Sequence, residues 1–203
     1  SSSAASDVYK RQAQYMAEQL GVELEIVDMS FDNLLISLNK GDFDIVLAAM
    51  SSNEERAKAV DFSNEYYLSN NVILVQKQNA DKYTTKESLQ GVSMAAQKGT
   101  VCETRAKELA GESSVVSLVK VQDMVSELLA GKVKAVLLDK PVASGYVIMQ
   151  DSLEMVDIGL VAEEGMSVAM KKDSAGLTEL VNCMLSQLTE EQLDSWMGEA
   201  QAV

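Results

Sequence analysis

Hydrophobic residues along this chain fall in short blocks whose spacing alternates between the period of a helix and that of a strand. AQYMAEQLG (13–21) places Met16, Ala17 and Leu20 on one helical face, with Gly21 as a stop. VELEIVDM (22–29) alternates Val22, Leu24 and Ile26 against Glu23, Glu25 and Val27, which predicts a half-buried strand. FDNLLISLNKG (31–41) predicts a helix with Leu34, Leu35 and Leu38 inward, ended by Gly41. DFDIVLAAM then reads as a strand buried on both faces, and after a polar loop so does Val72 to Val75.

The second half repeats this grammar. VSMAAQKGT is a strand entering a glycine turn, CETRAKELAG an amphipathic helix, VVSLVKV a strand and VQDMVSELLAG a helix. KAVLLD is a further buried strand, and Pro141 falls in the first turn of the helix KPVASGYVIMQ. LEMVDIG, GMSVAMKK and a helical region from Ala175 to Met197 complete the chain. Strands alternating with helices predict an α/β fold with mostly parallel sheets. LLISLNKGDFDIVLAA and VSELLAGKVKAVLLD share one layout, with Gly41 matching Gly131 and Phe43 matching Val133. The echo suggests two similarly built lobes. In open α/β sheets ligands collect beyond the carboxyl ends of strands, which here carry Ala48–Ser52 and Asp139–Pro141.

Composition narrows the chemistry. The 203 residues carry 31 Asp and Glu against 17 Lys and Arg, a formal charge of −14. That balance argues against binding nucleic acid or an anionic membrane surface. With no histidine, catalytic triads, Cys-His dyads and His-ligated metal sites are excluded, and no metal or cofactor is expected. No apolar run approaches the roughly 18 residues of a membrane span. Cys102 and Cys183 are too far apart for a metal motif, and two separately buried thiols are expected.

The first twelve residues fit nothing that follows. Residues 2–12, SSAASDVYKRQ, match an in-frame translation of a transposase-type sequencing adapter without a mismatch. The segment 1–12 is therefore read as an artefactual leader, with the native chain starting at Ala13, inside a helix whose beginning is lost.

The stretch AAMSSNEERAKAVDFSNEYY, 48–67, is the richest in candidate chemistry. Small residues after a buried strand admit a ligand to the backbone, Ser51 adds a hydroxyl, and Arg56 offers a planar fork for a carboxylate. The plainer alternative makes Arg56 an ion-pair partner of Glu54, Glu55 or Asp61. QKGT, 97–100, is a second anion-binding candidate at a helix start, where Thr100 could equally be an ordinary N-cap. Asp139 could hold an ammonium group or cap the helix opened by Pro141. Together these groups suit the zwitterion of an amino acid.

The order FDNLLISLNKGDFDIVLAAMSSNEERAKAVDFSNEYY, QKGT, GKVKAVLLDKPVA and GMSVAMKK resembles the bacterial extracellular solute-binding proteins of polar amino-acid ABC transporters, over Ala13 to Met197. The resemblance implies a type II periplasmic-binding-protein fold. Lobe 1 would be 13–76 plus 172–203, lobe 2 would be 77–171, and two hinge strands would join them. It implies that Arg56 clamps the α-carboxylate, with Ser51 and the Thr100–Val101 turn. Asp139 and the Ala49 carbonyl would take the α-ammonium, Phe31 would stack on the ligand side chain, and Gln97 would touch the ligand. Position 49 is Ala where Gly or Ser is usual. The family's opening strand is missing, so the first lobe is expected to be incomplete and binding weak. The implied role is non-catalytic: a monomer delivering a polar amino acid to the permease subunits of an ABC importer. The implied place is the periplasm or, as a lipoprotein, the cell surface. Rival readings are the sensor domain of a signalling receptor, or a dehydratase-like enzyme with Glu103 as its acid or base.

Overall fold

A computed structural model describes residues 4–161, 165–189, 191–193 and 196. The chain forms two compact units, one ending at Leu68 and resuming at Glu163, the other spanning Ser69–Ala162. The first unit opens with α1 (Ala4–Leu20), α2 (Leu34–Lys40), β1 (Ile45–Ser51), α3 (Glu54–Ala59) and β2 (Val60–Phe62). The second holds β3 (Asn71–Gln76), β4 (Met94–Gln97), α4 (Val101–Ala110), β5 (Val115–Leu118), α5 (Val121–Leu129), β6 (Ala135–Asp139), α6 (Lys140–Met149) and β7 (Leu153–Leu160). β8 (Met166–Lys171) and α7 (Ala175–Leu185) belong to the first unit again. The division thus falls earlier in the chain than the 76/77 and 171/172 boundaries expected. The reason is pairing: β3 is committed along its length to β6 and β7, and β8 to β1 and β2.

In the first unit the sheet order is β1-β8-β2, and both pairings are antiparallel. The mostly parallel sheet expected is not found here, because β8 comes from the returning chain and inserts between β1 and β2. Its residues alternate in destination. Val168 and Met170 join Met16, Val181, Met184 and Leu185 on one face, while Ala169 joins Leu34, Leu38, Val46, Met50 and Val60 on the other. The second sheet, β5-β4-β6-β3-β7, is mixed: β4 runs parallel to β5 and β6, and β3 antiparallel to β6 and β7. β3 is apolar at successive residues because both its faces are covered. Val72 and Leu74 pack with Met124, Leu128 and Ala143, and Ile73 and Val75 with Leu89, Met94 and Ala106.

The repeated layout has a geometric counterpart. Gly41 and Gly131 both end their helices in the left-handed region, at φ of 85° and 75°. Each amide bonds back three residues, to Leu38 and Leu128, and the next amide bonds back five, from Asp42 to Ser37 and Lys132 to Glu127. Both are Schellman caps.

Four expectations are corrected. Residues 22–29 are not a strand: no described strand pairs with them, and Val22, Leu24, Ile26 and Val27 are exposed. Alternation supplies a face, but a strand exists only by pairing. The polar loop before β3 contains a short helix, α3, started by the Asn53 side chain, which accepts from the Arg56 amide at 2.9 Å. The final helix stops at Leu185, because Thr189 and Gln192 exchange side-chain bonds with each other's amides and open a new turn. Cys102 is buried as expected, whereas Cys183 is exposed.

α1 runs without a break through residues 4–12, the segment set aside in the sequence. Within it Gln12 is buried, and among the described residues neither its amide atoms nor the buried Tyr66 hydroxyl finds a hydrogen-bond partner. Burial pushes the Tyr66 phenol up. A buried amide left unsatisfied costs about 1–3 kcal/mol. Gln12→Met, which keeps the volume and removes the polar atoms, is expected to stabilise the chain by about 1–2 kcal/mol in urea denaturation. An unchanged or lowered stability would show that the Gln12 amide is satisfied in solution.

Candidate functional site

In the first unit three of the candidate residues meet. Asn53 starts α3 directly after β1, so that Arg56, one turn in, points its fork back along the strand. Arg56 Nη1 donates to the Ser51 carbonyl at 3.0 Å, and its guanidinium carbon lies 5.4 Å from the centre of the Phe31 ring. Phe31 also packs against the cluster of Leu34 and Leu38, so it serves the core and the site together. Asp61, one acid available for a plain ion pair, is engaged elsewhere: it accepts from Lys172 at 3.1 Å and from the Ser174 amide at 2.9 Å. Those bonds, led by Lys172, hold its carboxyl below the usual range.

Ala49 lies on the same strand, at φ 51°. Between the registered pairs Val46–Ala169 and Met50–Ser167, β1 has two residues more than β8, so the ladder bulges there. A left-handed alanine costs roughly 1–2 kcal/mol. The departure at position 49, harmless if only the carbonyl mattered, is therefore a site of backbone strain.

In the second unit the candidates lie at the carboxyl ends of the parallel strands β4 and β6. Thr100 is the N-cap of α4: its hydroxyl donates to the Gln97 carbonyl at 2.7 Å and accepts from the Glu103 amide at 3.3 Å. The N-cap alternative for Thr100 therefore holds. The amide of Val101, in the first turn, is one that a helix cannot bond internally. Gln97 is drawn to β5, its Nε2 donating to the Val119 carbonyl at 3.0 Å. Glu103 closes this turn. It accepts from the Gly99 amide at 2.6 Å, from Lys107 at 2.8 Å and from the Ser117 hydroxyl at 2.5 Å. Burial acts to raise its pKa, but these bonds outweigh it and the carboxyl is held below its usual range. Glu103 is thus an ionised structural carboxylate with its oxygens occupied.

Asp139 precedes α6 in the N-cap position but makes no capping bond with its side chain. Its Oδ1 instead accepts from Asn71 Nδ2 at 2.7 Å, across the register pair Asn71–Asp139 of β3 and β6. Asn71 Oδ1 in turn accepts from Arg105 Nη1 at 2.6 Å. Burial pushes Asp139 up to about 6, with Asn71 and Arg105 acting against it. Cys102 is pushed up mainly by burial, with the Asp139 charge adding to it. Asn71 and Arg105 were not singled out in the sequence. One flanks an apolar run and the other sits on a polar helical face, and neither position signals a role.

Among the described residues no group of acidic or thiol side chains could hold a metal ion, and no helix is long and apolar enough to cross a membrane. The family model of bacterial extracellular solute-binding proteins, family 3, matches residues 10–198. The chain belongs to this family. As a family 3 solute-binding protein it is 30% identical over 182 residues to the arginine-binding extracellular protein ArtP of Bacillus subtilis. That match covers 88% of this chain and 70% of the relative. It superposes with a TM-score of 0.91 and 37% identity on an amino-acid ABC transporter substrate-binding protein of Streptococcus pneumoniae bound to L-arginine, over 96% of this chain and 82% of that one. It also matches an ancestral amino-acid-binding protein, a precursor of cyclohexadienyl dehydratase, with a TM-score of 0.85 and 31% identity, over 95% of this chain and 84% of that one. The type II periplasmic-binding-protein fold is thereby shown.

Two outcomes are expected. Ala49→Gly should raise stability by about 1 kcal/mol in chemical denaturation, since glycine adopts φ 51° without the β-carbon penalty; a loss would contradict the strain. Asp139 titrates higher folded than unfolded, so its contribution to stability is full below about pH 4 and is lost as pH rises through about 6. The stability difference between Asp139→Asn and the parent should therefore grow, in favour of the variant, by on the order of 2 kcal/mol from pH 4 to pH 7. A difference independent of pH would show that Asp139 is not raised.

Proposed function

We propose that this solute-binding protein captures an amino acid by both of its charged ends and hands it to the permease subunits of an ABC importer. Arg56 and the Ser51 hydroxyl and amide take the α-carboxylate, helped by the amides of the Thr100–Val101 turn. Asp139 and the Ala49 carbonyl take the α-ammonium, and Phe31 lies along the ligand side chain. Gln97, bonded to Val119, acts by holding the turn. The observation that carries this reading is the preset Arg56 fork, tethered to the Ser51 carbonyl and resting on Phe31. A carboxylate meeting it replaces no long-range structure. L-arginine is the proposed ligand: two similar proteins carry arginine in their names or bound to them, and a chain of net charge −14 attracts a cationic amino acid.

The proposed role is non-catalytic. Similarity to a dehydratase precursor raises an enzymatic alternative, but Glu103, the acid or base that reading would use, has its oxygens bonded and its carboxyl held ionised. The family's extracellular description supports a place outside the cytoplasm; the form proposed is a monomer, in the periplasm or anchored at the cell surface.

Calorimetric titration with L-arginine into the millimolar range tests this. The expected result is saturable one-to-one binding, weakened at least about a hundredfold by Arg56→Ala, since a charged carboxylate then loses a bidentate partner. If neither L-arginine nor any other proteinogenic amino acid binds at millimolar concentration, the proposal fails.

A further inference from the structure

Asp139 is a carboxylate beneath which the protein has built a chain of two more polar groups. Asn71 is buried, at 5% exposure, and its two amide atoms are both used, one on Asp139 and one on Arg105. The direction of the chain is fixed by chemistry. A guanidinium can only donate, and an ionised carboxylate can only accept, so the amide oxygen must face Arg105 and the amide nitrogen must face Asp139. The three groups come from three elements: Arg105 from the second turn of α4's ten residues, Asn71 from the start of β3, and Asp139 from the end of β6. Backbone register places two of them directly opposite each other.

We propose that Asn71 and Arg105 are positioning residues for the ammonium subsite: Arg105 orients the Asn71 amide, and Asn71 holds Asp139 out of the helix-cap role with one chosen oxygen toward the sheet. The proposal rests on the reading of Asp139 as the ammonium acceptor. It explains why an aspartate in a favourable N-cap position makes no cap. The carboxylate is taken by a donor outside α6, and its Oδ2 is not the atom that Asn71 engages. It also explains how the carboxylate keeps a charge in a half-buried place. The groups acting on it are Asn71 from β3 and Arg105 and Cys102 from α4, while the adjoining Lys140 of α6 is exposed. Of these, Asn71 and Arg105 favour the ionised form, and the neutral Cys102 thiol adds no charge.

The test uses the whole chain and two readouts. Carbon-13 NMR of the Asp139 side-chain carboxyl follows its titration in the ligand-free protein, and calorimetry follows L-arginine affinity from pH 5 to pH 9. For Asn71→Leu, similar in size and without polar atoms, the Asp139 midpoint is expected to rise by about one pH unit or more. Relative to the parent, L-arginine affinity is expected to fall about twofold at pH 7 and about tenfold at pH 5, and the ratio is expected to return to about one toward pH 9. A role confined to packing would instead lower affinity equally at every pH. If Asn71→Leu does not fold, judged by circular dichroism, Arg105→Met carries the test with a smaller shift in the same direction, and Arg105→Lys restores part of it. An unchanged Asp139 midpoint in the folded variant overturns the positioning role. Failure of the parent chain to bind L-arginine or any other proteinogenic amino acid overturns the proposed function instead, and the NMR midpoint then still decides the Asn71 and Arg105 roles.

Discussion

The antiparallel pairing of β3 with β6 is the constraint on which the second unit depends. It sets Asn71 opposite Asp139, so that a donor reaches a carboxylate that burial would otherwise neutralise. The same pairing fills the centre of the sheet, since β3 is flanked on both sides and covered on both faces. A shift of one residue would send Val72 and Leu74 to the opposite layer and part Asn71 from Asp139 in the same step. The hydrophobic core thus specifies the register, and the register specifies the polar chain. The electrostatics of the site are in that sense enforced by packing.

The first unit reaches its charged group by a different route. Arg56 is set by local rules: a strand end, an Asn53 cap and one helical turn. Near it the backbone is strained at Ala49, next to a bulge in β1. Strain of this kind persists where the surrounding structure over-determines it, and here β1 is fixed by β8 and by the Leu34–Leu38 cluster.

Much of the fold was legible in the sequence where one rule acts alone. Period-2 and period-3.6 blocks located β1, β3, β6, α2, α4 and α5, and the glycines at 41 and 131 marked two identical caps. Legibility failed where a distant partner decides. Residues 22–29 have the alternation of a strand, but alternation cannot report whether a neighbour exists to pair with. The antiparallel insertion of β8 depends on a chain return that no local pattern encodes. At the site, Arg56 and Ser51 were named from residue chemistry and Phe31 from the family resemblance, and the three lie together. Thr100 proved to be the cap that its position allowed. Asn71 and Arg105 were invisible because their meaning lies in a contact between residues 34 apart, with Asp139 a further 34 along the chain.

The central claim is that opposite ends of one zwitterion are recognised, the carboxylate by Arg56 and the ammonium by Asp139. Calorimetry comparing L-arginine with two analogues addresses it most directly. Agmatine lacks the carboxylate, and argininic acid carries a hydroxyl in place of the ammonium. The account predicts that each analogue binds at least about a hundredfold more weakly than L-arginine, because each leaves a charged protein group unpaired. Argininic acid binding as tightly as L-arginine would contradict the role of Asp139, and agmatine doing so would contradict that of Arg56.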